Sequence, residues 1–326
     1  MKAALCKELG PPESLVLEEA PDPEPGPRQV VVDVVASAVN YPDVLMLKGQ
    51  YQVRPELPFA PGGEVAGVVS AVGAEVTGWA VGDEVMAVIG SGGFAEKAVV
   101  PAGALHAVPA GMDMDTASGF LMAYGTSYHA LVDRAAIRPG ETLLVLGAAG
   151  GTGLTAVEIG AALGAVVVAA ASSAEKLAAC AERGAAFGIN YSTEDLRARL
   201  KEVTGGRGPD VVYDPVGGDY AEPAFRSIAW EGRYLVIGFT GGPIPRLPLN
   251  LPLLKGAAVV GVFWGGFVAR DPERSRRNVE ALGEMFRSGL LGPIVTSVHP
   301  LTDAGRAIRE LEDRRAVGKV VVRVRP

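Results

Sequence analysis

Short runs of branched apolar residues dominate the first third of the chain. Residues 30–35 are almost continuous valine, and 65–69 and 84–89 repeat the pattern. Gly62-Gly63, Gly82-Asp83 and Gly90-Ser91-Gly92-Gly93 punctuate them. Strands of this length with glycine turns predict a small β-barrel or sandwich over about the first 110 residues. Helical spacing begins near Asp115 and runs through Tyr124 to Val132. The rhythm then changes. Strand-like residues 143–146 lead into a glycine-rich turn and a helix. Residues 166–169, a helix over 174–183, residues 211–213 and residues 234–237 continue the alternation. Strands alternating with helices predict a parallel sheet with right-handed crossovers, an α/β doubly wound domain. Residues 257–264 are strand-like but lack a following crossover. Residues 272–287 form an amphipathic helix, and 319–324 close the chain as a strand.

Composition narrows the class. A chain of 326 residues exceeds what one core usually supports, so two domains are expected. The net charge of −7 argues against nucleic acid as a partner, because such a footprint needs a basic patch. Cys6 and Cys180 cannot build a disulfide framework. With only His106, His129 and His299 besides, a metal site of several histidines and cysteines is not expected. Between Thr142 and Ala174 the only charge is Glu158, yet six glycines break that stretch. A membrane span needs roughly 20 continuous apolar residues. A buried strand pair around an alanine- and glycine-rich helix explains the same composition. No secretory signal is visible at residues 1–8. The expectation is a soluble, cytoplasmic protein in a reducing compartment, without a membrane partner.

Gly147-Ala148-Ala149-Gly150-Gly151-Thr152-Gly153 directly follows a strand and opens a helix. Glycines there permit a tight turn, close backbone approach to a pyrophosphate, and close helix–strand packing. The helix N-terminus offers unpaired N–H groups and a partial positive charge to phosphates. At the usual spacing the three fingerprint positions are Ala148, Gly150 and Gly153. A site for NAD carries an acid some 20 residues further on, for the ribose 2′-OH. Here the sequence reads Ala170-Ala171-Ser172-Ser173, with Lys176 one helical turn beyond. Hydroxyls plus a cation suit a 2′-phosphate, so NADPH is the expected cofactor. The plainer alternative makes Ser172 a helix cap and Lys176 a solvated charge.

These features together resemble the medium-chain dehydrogenase/reductase superfamily, in particular its zinc-free quinone oxidoreductase branch, the zeta-crystallin-like proteins. The resemblance covers the whole chain. It rests on Val39-Asn40-Tyr41-Pro42-Asp43 with Gly49-Gln50-Tyr51, on residues 61–69, on Val81-Gly82-Asp83-Glu84-Val85, and on the 148–153 loop. Tyr213-Asp214-Pro215-Val216-Gly217-Gly218 and Gly318-Lys319-Val320-Val321 complete it. It implies a GroES-like β-rich catalytic domain over 1–122 and 266–326, and a Rossmann domain over 123–265. Zinc-dependent members place histidine where Gly63 stands and cysteine where Asn40 stands, so the resemblance implies no metal here. Without zinc to polarise an alcohol oxygen, the implied reaction is hydride delivery to an acceptor already activated by conjugation.

By the same resemblance, Asn40 and Tyr51 are the candidate catalytic residues, with Asp43 nearby. Val216, Gly217, Gly238, Phe239, Phe263 and Trp264 would lie near nicotinamide and substrate. Gly318 and Lys319 would approach the cofactor, and Tyr191 would join Ser172, Ser173 and Lys176 at the 2′-phosphate. Asp214 is equally a site residue or a turn former. Glu64 reads as structural. Asn40 and Tyr51 also have plain alternatives, as a loop residue satisfying backbone groups and a half-buried ring with a wet hydroxyl. The cofactor is expected along the C-terminal edge of the parallel sheet, at its cleft with the β-rich domain. The hydride would go to a quinone or to the β-carbon of an α,β-unsaturated carbonyl, while Asn40 or Tyr51 donates a hydrogen bond to the developing oxyanion. An enoyl thioester is an alternative substrate, to which the basic residues of 270–277 could contribute. A different class remains open, an NADPH-binding protein with a structural or regulatory role. Residues 257–264, apolar and without a crossover, predict an edge strand completed by a second copy in a homodimer.

Overall fold

The computed structural model describes residues 1–325. The chain divides into two compact units, Met1–Met122 with Pro293–Pro326, and Ala123–Gly292.

The first unit is a GroES-like β domain. Its seven-stranded sheet runs, in order, Val295–Pro300, Lys319–Arg323, Gln29–Ala38, Glu64–Val72, Glu84–Val88 and Leu105–Ala107, with Lys97–Pro101 also pairing to Gln29–Ala38. The long strand Gln29–Ala38 is central, pairing antiparallel with three others. Register shifts at Val31/Val32 and Val34/Ala36 bend it, as bulges do. Gly67 lies where two paired strands approach closely: a Cβ there would stand 2.1 Å from the carbonyl oxygen of Asp33. Val30, Val32, Val34, Val65, Val69, Val85 and Val100 form one buried cluster. The period of two along Val30, Val32 and Val34 places their side chains together on one face. Short helix Tyr41–Leu47 and helix Ala304–Glu312 pack on a second cluster that includes Val44, Leu47, Ala307 and Ile308.

The second unit is a Rossmann-type domain. Its six strands are all parallel, in the order Phe187–Asn190, Val166–Ala171, Thr142–Leu146, Val211–Asp214, Arg233–Val236, Ala258–Gly261. The order reverses between Thr142–Leu146 and Val211–Asp214. Such a switch point opens a crevice at the carboxyl ends of the strands. Strand Thr142–Leu146 is buried throughout, which is why it reads as a continuous apolar run. Helix Gly151–Ala162 follows it and is buried from Gly153 to Gly160.

Residues 266–292 group with this second unit, whereas the family resemblance assigns them to the first. Asp133 accounts for the difference. Its carboxylate accepts from Arg274 at 2.6 Å and from Asn278 at 2.8 Å, which ties helix Pro272–Arg287 to the turn His129–Arg134. That turn is a π-helical continuation of Phe120–Tyr128. Phe187–Asn190 is an additional outer strand, and Ala258–Gly261 lies at the opposite edge as expected. Among the described residues no helix is long and apolar enough to cross a membrane.

Candidate functional site

The glycine-rich turn after Leu146 is built by backbone contact. Gly147 has φ +57°, and the N–H of Gly150 returns to its carbonyl at 3.0 Å. A Cβ on Gly153 would stand 2.2 Å from that same carbonyl oxygen. Gly147, not Ala148, therefore takes the tight-turn role that the fingerprint spacing assigns to Ala148. Ala148 is fully buried, and its N–H donates to Ala170 at 3.0 Å. Gly150 caps the helix without a side chain, and Gly151 and Thr152 open it. The first N–H groups of the helix lack intrahelical acceptors and can meet an anion. The Ser127 hydroxyl holds this first turn in place. It lies 2.9 Å from the Thr152 carbonyl, 2.8 Å from Thr155 Oγ1 and 2.9 Å from the Tyr213 hydroxyl. Burial holds the Tyr213 phenol well above its ordinary range, so it stays neutral.

At the end of the next strand the chain reaches Ser172 and Ser173. Ser173, not Ser172, caps the following helix, accepting from the Lys176 N–H at 3.3 Å. The Lys176 ammonium donates to the Ser172 hydroxyl, also at 3.3 Å. Ser173 thus caps the helix, while Ser172 accepts from the cation. The Tyr191 N–H donates to Ala171, and its ring lies 4.4 Å from that of Tyr220. No acid stands at this strand end, and a hydroxyl beside an ammonium fits a phosphate better than a ribose hydroxyl.

Asp214 is the turn former. One of its oxygens accepts the N–H groups of Val216 and Gly217, each at 2.8 Å, and the other accepts the Tyr234 hydroxyl. Burial pushes its carboxyl above the usual range, against the lowering effect of these donors. The turn brings Val216 against the phosphate loop: a Cβ on Gly147 would stand 2.7 Å from Val216 Cγ2. Gly217, with φ +66°, similarly abuts the ring of Phe239. The Gly238 N–H returns to the Asp214 carbonyl. Phe263 is 66% exposed just before helix Trp264–Arg270. The candidate cofactor positions of this unit thus cluster at strand ends.

The first unit brings Asn40, Asp43, Glu64 and Lys319 together. The Lys319 ammonium donates to Asn40 Oδ1 at 2.7 Å and to the Val39 carbonyl at 3.4 Å, and lies 3.6 Å from Glu64. Asn40 Nδ2 donates to Glu64 at 3.1 Å and to the Ala38 carbonyl at 3.3 Å. The other Glu64 oxygen accepts the Met122 N–H at 2.8 Å. Glu64 is fully buried, which raises its carboxyl above the usual range while Lys319 and these donors pull it down. Asp43 lies too deep to meet a substrate. It is fully buried, and its oxygens accept the N–H groups of Asn40 and Gly62 at 2.8 and 2.9 Å. Burial moves its carboxyl up to about 6. Tyr51 is half-buried, and its hydroxyl has no hydrogen-bond partner among the described residues. Burial, then the charge of Asp43, raises its phenol.

The Asn40 amide is therefore committed: its oxygen to Lys319, its nitrogen to Glu64 and Ala38. It has no N–H left for a further acceptor. The Lys319 contact carries no sequence signal, because both partners read only as motif residues. These residues also fit a zinc ion poorly. A Cβ at Gly63 would stand 2.9 Å from the Gly90 carbonyl oxygen, which leaves no room for an imidazole, and an ammonium already sits on Asn40. No group of three or more His, Cys, Asp or Glu side chains is placed to hold a metal among the described residues.

Residues 26–110 match the family model of the alcohol dehydrogenase GroES-like domain, and residues 151–282 that of the zinc-binding dehydrogenases. The chain is 38% identical to a quinone oxidoreductase-like protein 2 homolog of Nematostella vectensis, over 98% of this chain and 88% of that one. Among solved structures it is similar to a mycobacterial protein complexed with NADPH (TM-score 0.93, 31% identity, 99% of this chain and 100% of that one). It is also similar to the Escherichia coli quinone oxidoreductase complexed with NADPH (TM-score 0.92, 29% identity, 99% and 100%). The two sheets, the glycine turn and these likenesses agree: the chain is an oxidoreductase belonging to the quinone oxidoreductase branch of the medium-chain dehydrogenase/reductase superfamily.

Proposed function

We propose that this protein is an NADPH-dependent reductase of quinones that works without a metal ion. The observation that carries the reading is the pairing, at adjacent strand ends, of a glycine-built phosphate turn with a hydroxyl–ammonium corner at Ser172 and Lys176. The N–H groups at Gly151, Thr152 and Gly153 would hold the pyrophosphate, while Ser172, Ser173, Lys176 and Tyr191 would hold the 2′-phosphate. Val216, Gly238, Phe239 and Phe263 would line the nicotinamide end. When bound, NADPH supplies a hydride. The chain supplies orientation and an electrophilic hydrogen bond. A quinone gaining a hydride also needs one proton at the oxygen that becomes negative. The Tyr51 hydroxyl is the uncommitted donor, and its raised phenol stays protonated near neutral pH. Lys319 serves this reading through Asn40 rather than as a cofactor ligand, since its ammonium is taken up within its own unit.

The same phenol suits a second substrate class, the activated C=C bond of an enone or enoyl thioester, whose reduction also places charge on oxygen. NADPH consumption with a panel of 1,4-quinones, enones and a crotonyl thioester tests both readings. Turnover fastest with quinones supports the first and fastest with enones or thioester the second. Tight NADPH binding without consumption contradicts both.

A homodimer is part of the proposal. Edge strand Ala258–Gly261 carries Val259 at 50% exposed, and Leu249 and Leu253 nearby in sequence are 83% and 79% exposed. Apolar surface at an unpaired strand edge favours pairing with a second copy. Sedimentation at micromolar concentration would show a monomer if this is wrong. A cytoplasmic location is proposed with it, supported by two buried cysteines that form no disulfide.

A further inference from the structure

We infer that Lys319 is a positioning residue for Asn40, held by a slot at Gly119 and neutralised by Glu64, and that Asn40 consequently cannot serve its ligand as a hydrogen-bond donor. The inference rests on the proposed quinone reduction together with the reading of Asn40 as a catalytic residue that the family resemblance implies. An asparagine amide has two ends of opposite polarity. Here the oxygen meets an ammonium at 2.7 Å and the nitrogen meets a carboxylate at 3.1 Å. Rotating the amide by half a turn would set N–H groups against the ammonium and an oxygen against the carboxylate. The pair Lys319–Glu64 therefore specifies one orientation. Both N–H bonds are used, at Glu64 and Ala38. Asn40 thus has no donor left for a bound molecule, and its side chain also faces the Asp43 N–H of the capping box.

The lysine is itself held from two directions. Its own backbone N–H donates to Ile294 at 3.0 Å, which fixes the strand. Its stem runs through space that exists only because residue 119 is glycine. A Cβ on Gly119 would stand 2.7 Å from Lys319 Cε and 3.3 Å from Cγ. The backbone of Gly119, at φ −113°, is open to any residue, so a methyl group there strains no dihedral. The overlap falls on the far end of a flexible side chain, which can yield with little cost to the fold. Gly119→Ala thus displaces the ammonium without altering any charge or touching Asn40.

Three variants separate positioning from mere structure. Asn40→Ala tests the underlying reading and should lower turnover with quinone on the order of 10–100-fold, the usual scale for a misplaced contact group. Gly119→Ala should lower kcat by a similar factor while the melting temperature stays near that of the parent. Lys319→Met alone leaves a buried carboxylate unpaired and should melt early. Adding Glu64→Gln removes the second charge and should restore the melting temperature but not kcat. Neutron diffraction from deuterated crystals of the cofactor-free double variant, which tells the amide oxygen from its nitrogen, should show the Asn40 amide turned from its parental orientation. Recovery of kcat together with stability in the double variant would overturn the inference, as would an Asn40 amide still in its parental orientation. If Asn40→Ala itself turns over normally, the placement of Asn40 at the reacting end fails, and the amide orientation in those crystals alone decides the positioning claim.

Discussion

Gly153 lies directly against the carbonyl of Gly147, so closely that any side chain would collide with it at 2.2 Å. The first turn of helix Gly151–Ala162 and the end of strand Thr142–Leu146 are thereby pressed together. Ala148 atoms crowd the same spot at 2.9 and 3.0 Å. All of these are backbone atoms, so nothing nearby can swing aside. Gly153→Ala should cost about 1–3 kcal/mol of stability, the scale of overpacking, and should weaken NADPH binding by displacing the helix N-terminus. Thermal melting and calorimetric titration read both. A parental melting temperature with parental affinity would show that the loop relaxes freely.

Lys176 and Ser172 form the only charged corner proposed for the cofactor's ribose. A hydrogen bond to a charged partner is worth about 1.5–3 kcal/mol, which corresponds to roughly 10–100-fold in affinity. Lys176→Ala should weaken NADPH by that factor and leave NADH nearly unchanged. Equal losses for the two cofactors would remove Lys176 from the phosphate site.

Tyr51 is the proposed proton donor, since the Asn40 amide is committed to Glu64, Ala38 and Lys319. Tyr51→Phe should lower kcat about 10²-fold, the scale seen when one oxyanion donor is deleted, without changing NADPH affinity. Unchanged turnover would pass the proton-donor role to water.

Asp43 titrates at about 6 in the folded chain, against 3.8 for the unperturbed group, because burial disfavours its charged form. The folded state therefore holds this proton more tightly than the unfolded chain does. Protonation favours folding, so this group's contribution to stability rises as pH falls through about 6 towards 4 and is lost as pH climbs above 6. Melting curves of the parent and of Asp43→Asn over that range isolate the effect. The parent should gain relative to the variant as pH is lowered. A flat difference, or one of opposite sign, would contradict the assignment.

Tyr234 donates its hydroxyl to Asp214, the residue that shapes the turn to Val216 and Gly217. Tyr234→Phe leaves a buried carboxylate oxygen unsatisfied and should cost about 1–3 kcal/mol. A loss well below that range would mean that water reaches the carboxylate.

Much of this architecture is legible locally. Strand Thr142–Leu146, its glycine turn and the following helix announce themselves because burial, glycine placement and periodicity all act within a few residues. The serine pair and Lys176 are legible for the same reason. Contacts between distant segments leave no such trace. Lys319 and Asn40 are 279 residues apart, and Asp133 and Arg274 are 141 apart. The first pair changes what Asn40 can do, and the second decides which unit owns helix Pro272–Arg287. Strand Phe187–Asn190 escapes a pattern search because only Ile189 in it is buried. The tight-turn glycine is not legible in the spacing either. Spacing alone points to Ala148, whereas the positive φ belongs to Gly147.

The central claim is that reducing equivalents leave NADPH on this protein through positioning and a side-chain donor alone. Its most direct test is NADPH oxidation by a 1,4-quinone with protein dialysed against a strong chelator, its metal content measured in the same sample. The account predicts undiminished turnover at negligible zinc. Turnover that vanishes on chelation and returns with added zinc would contradict it.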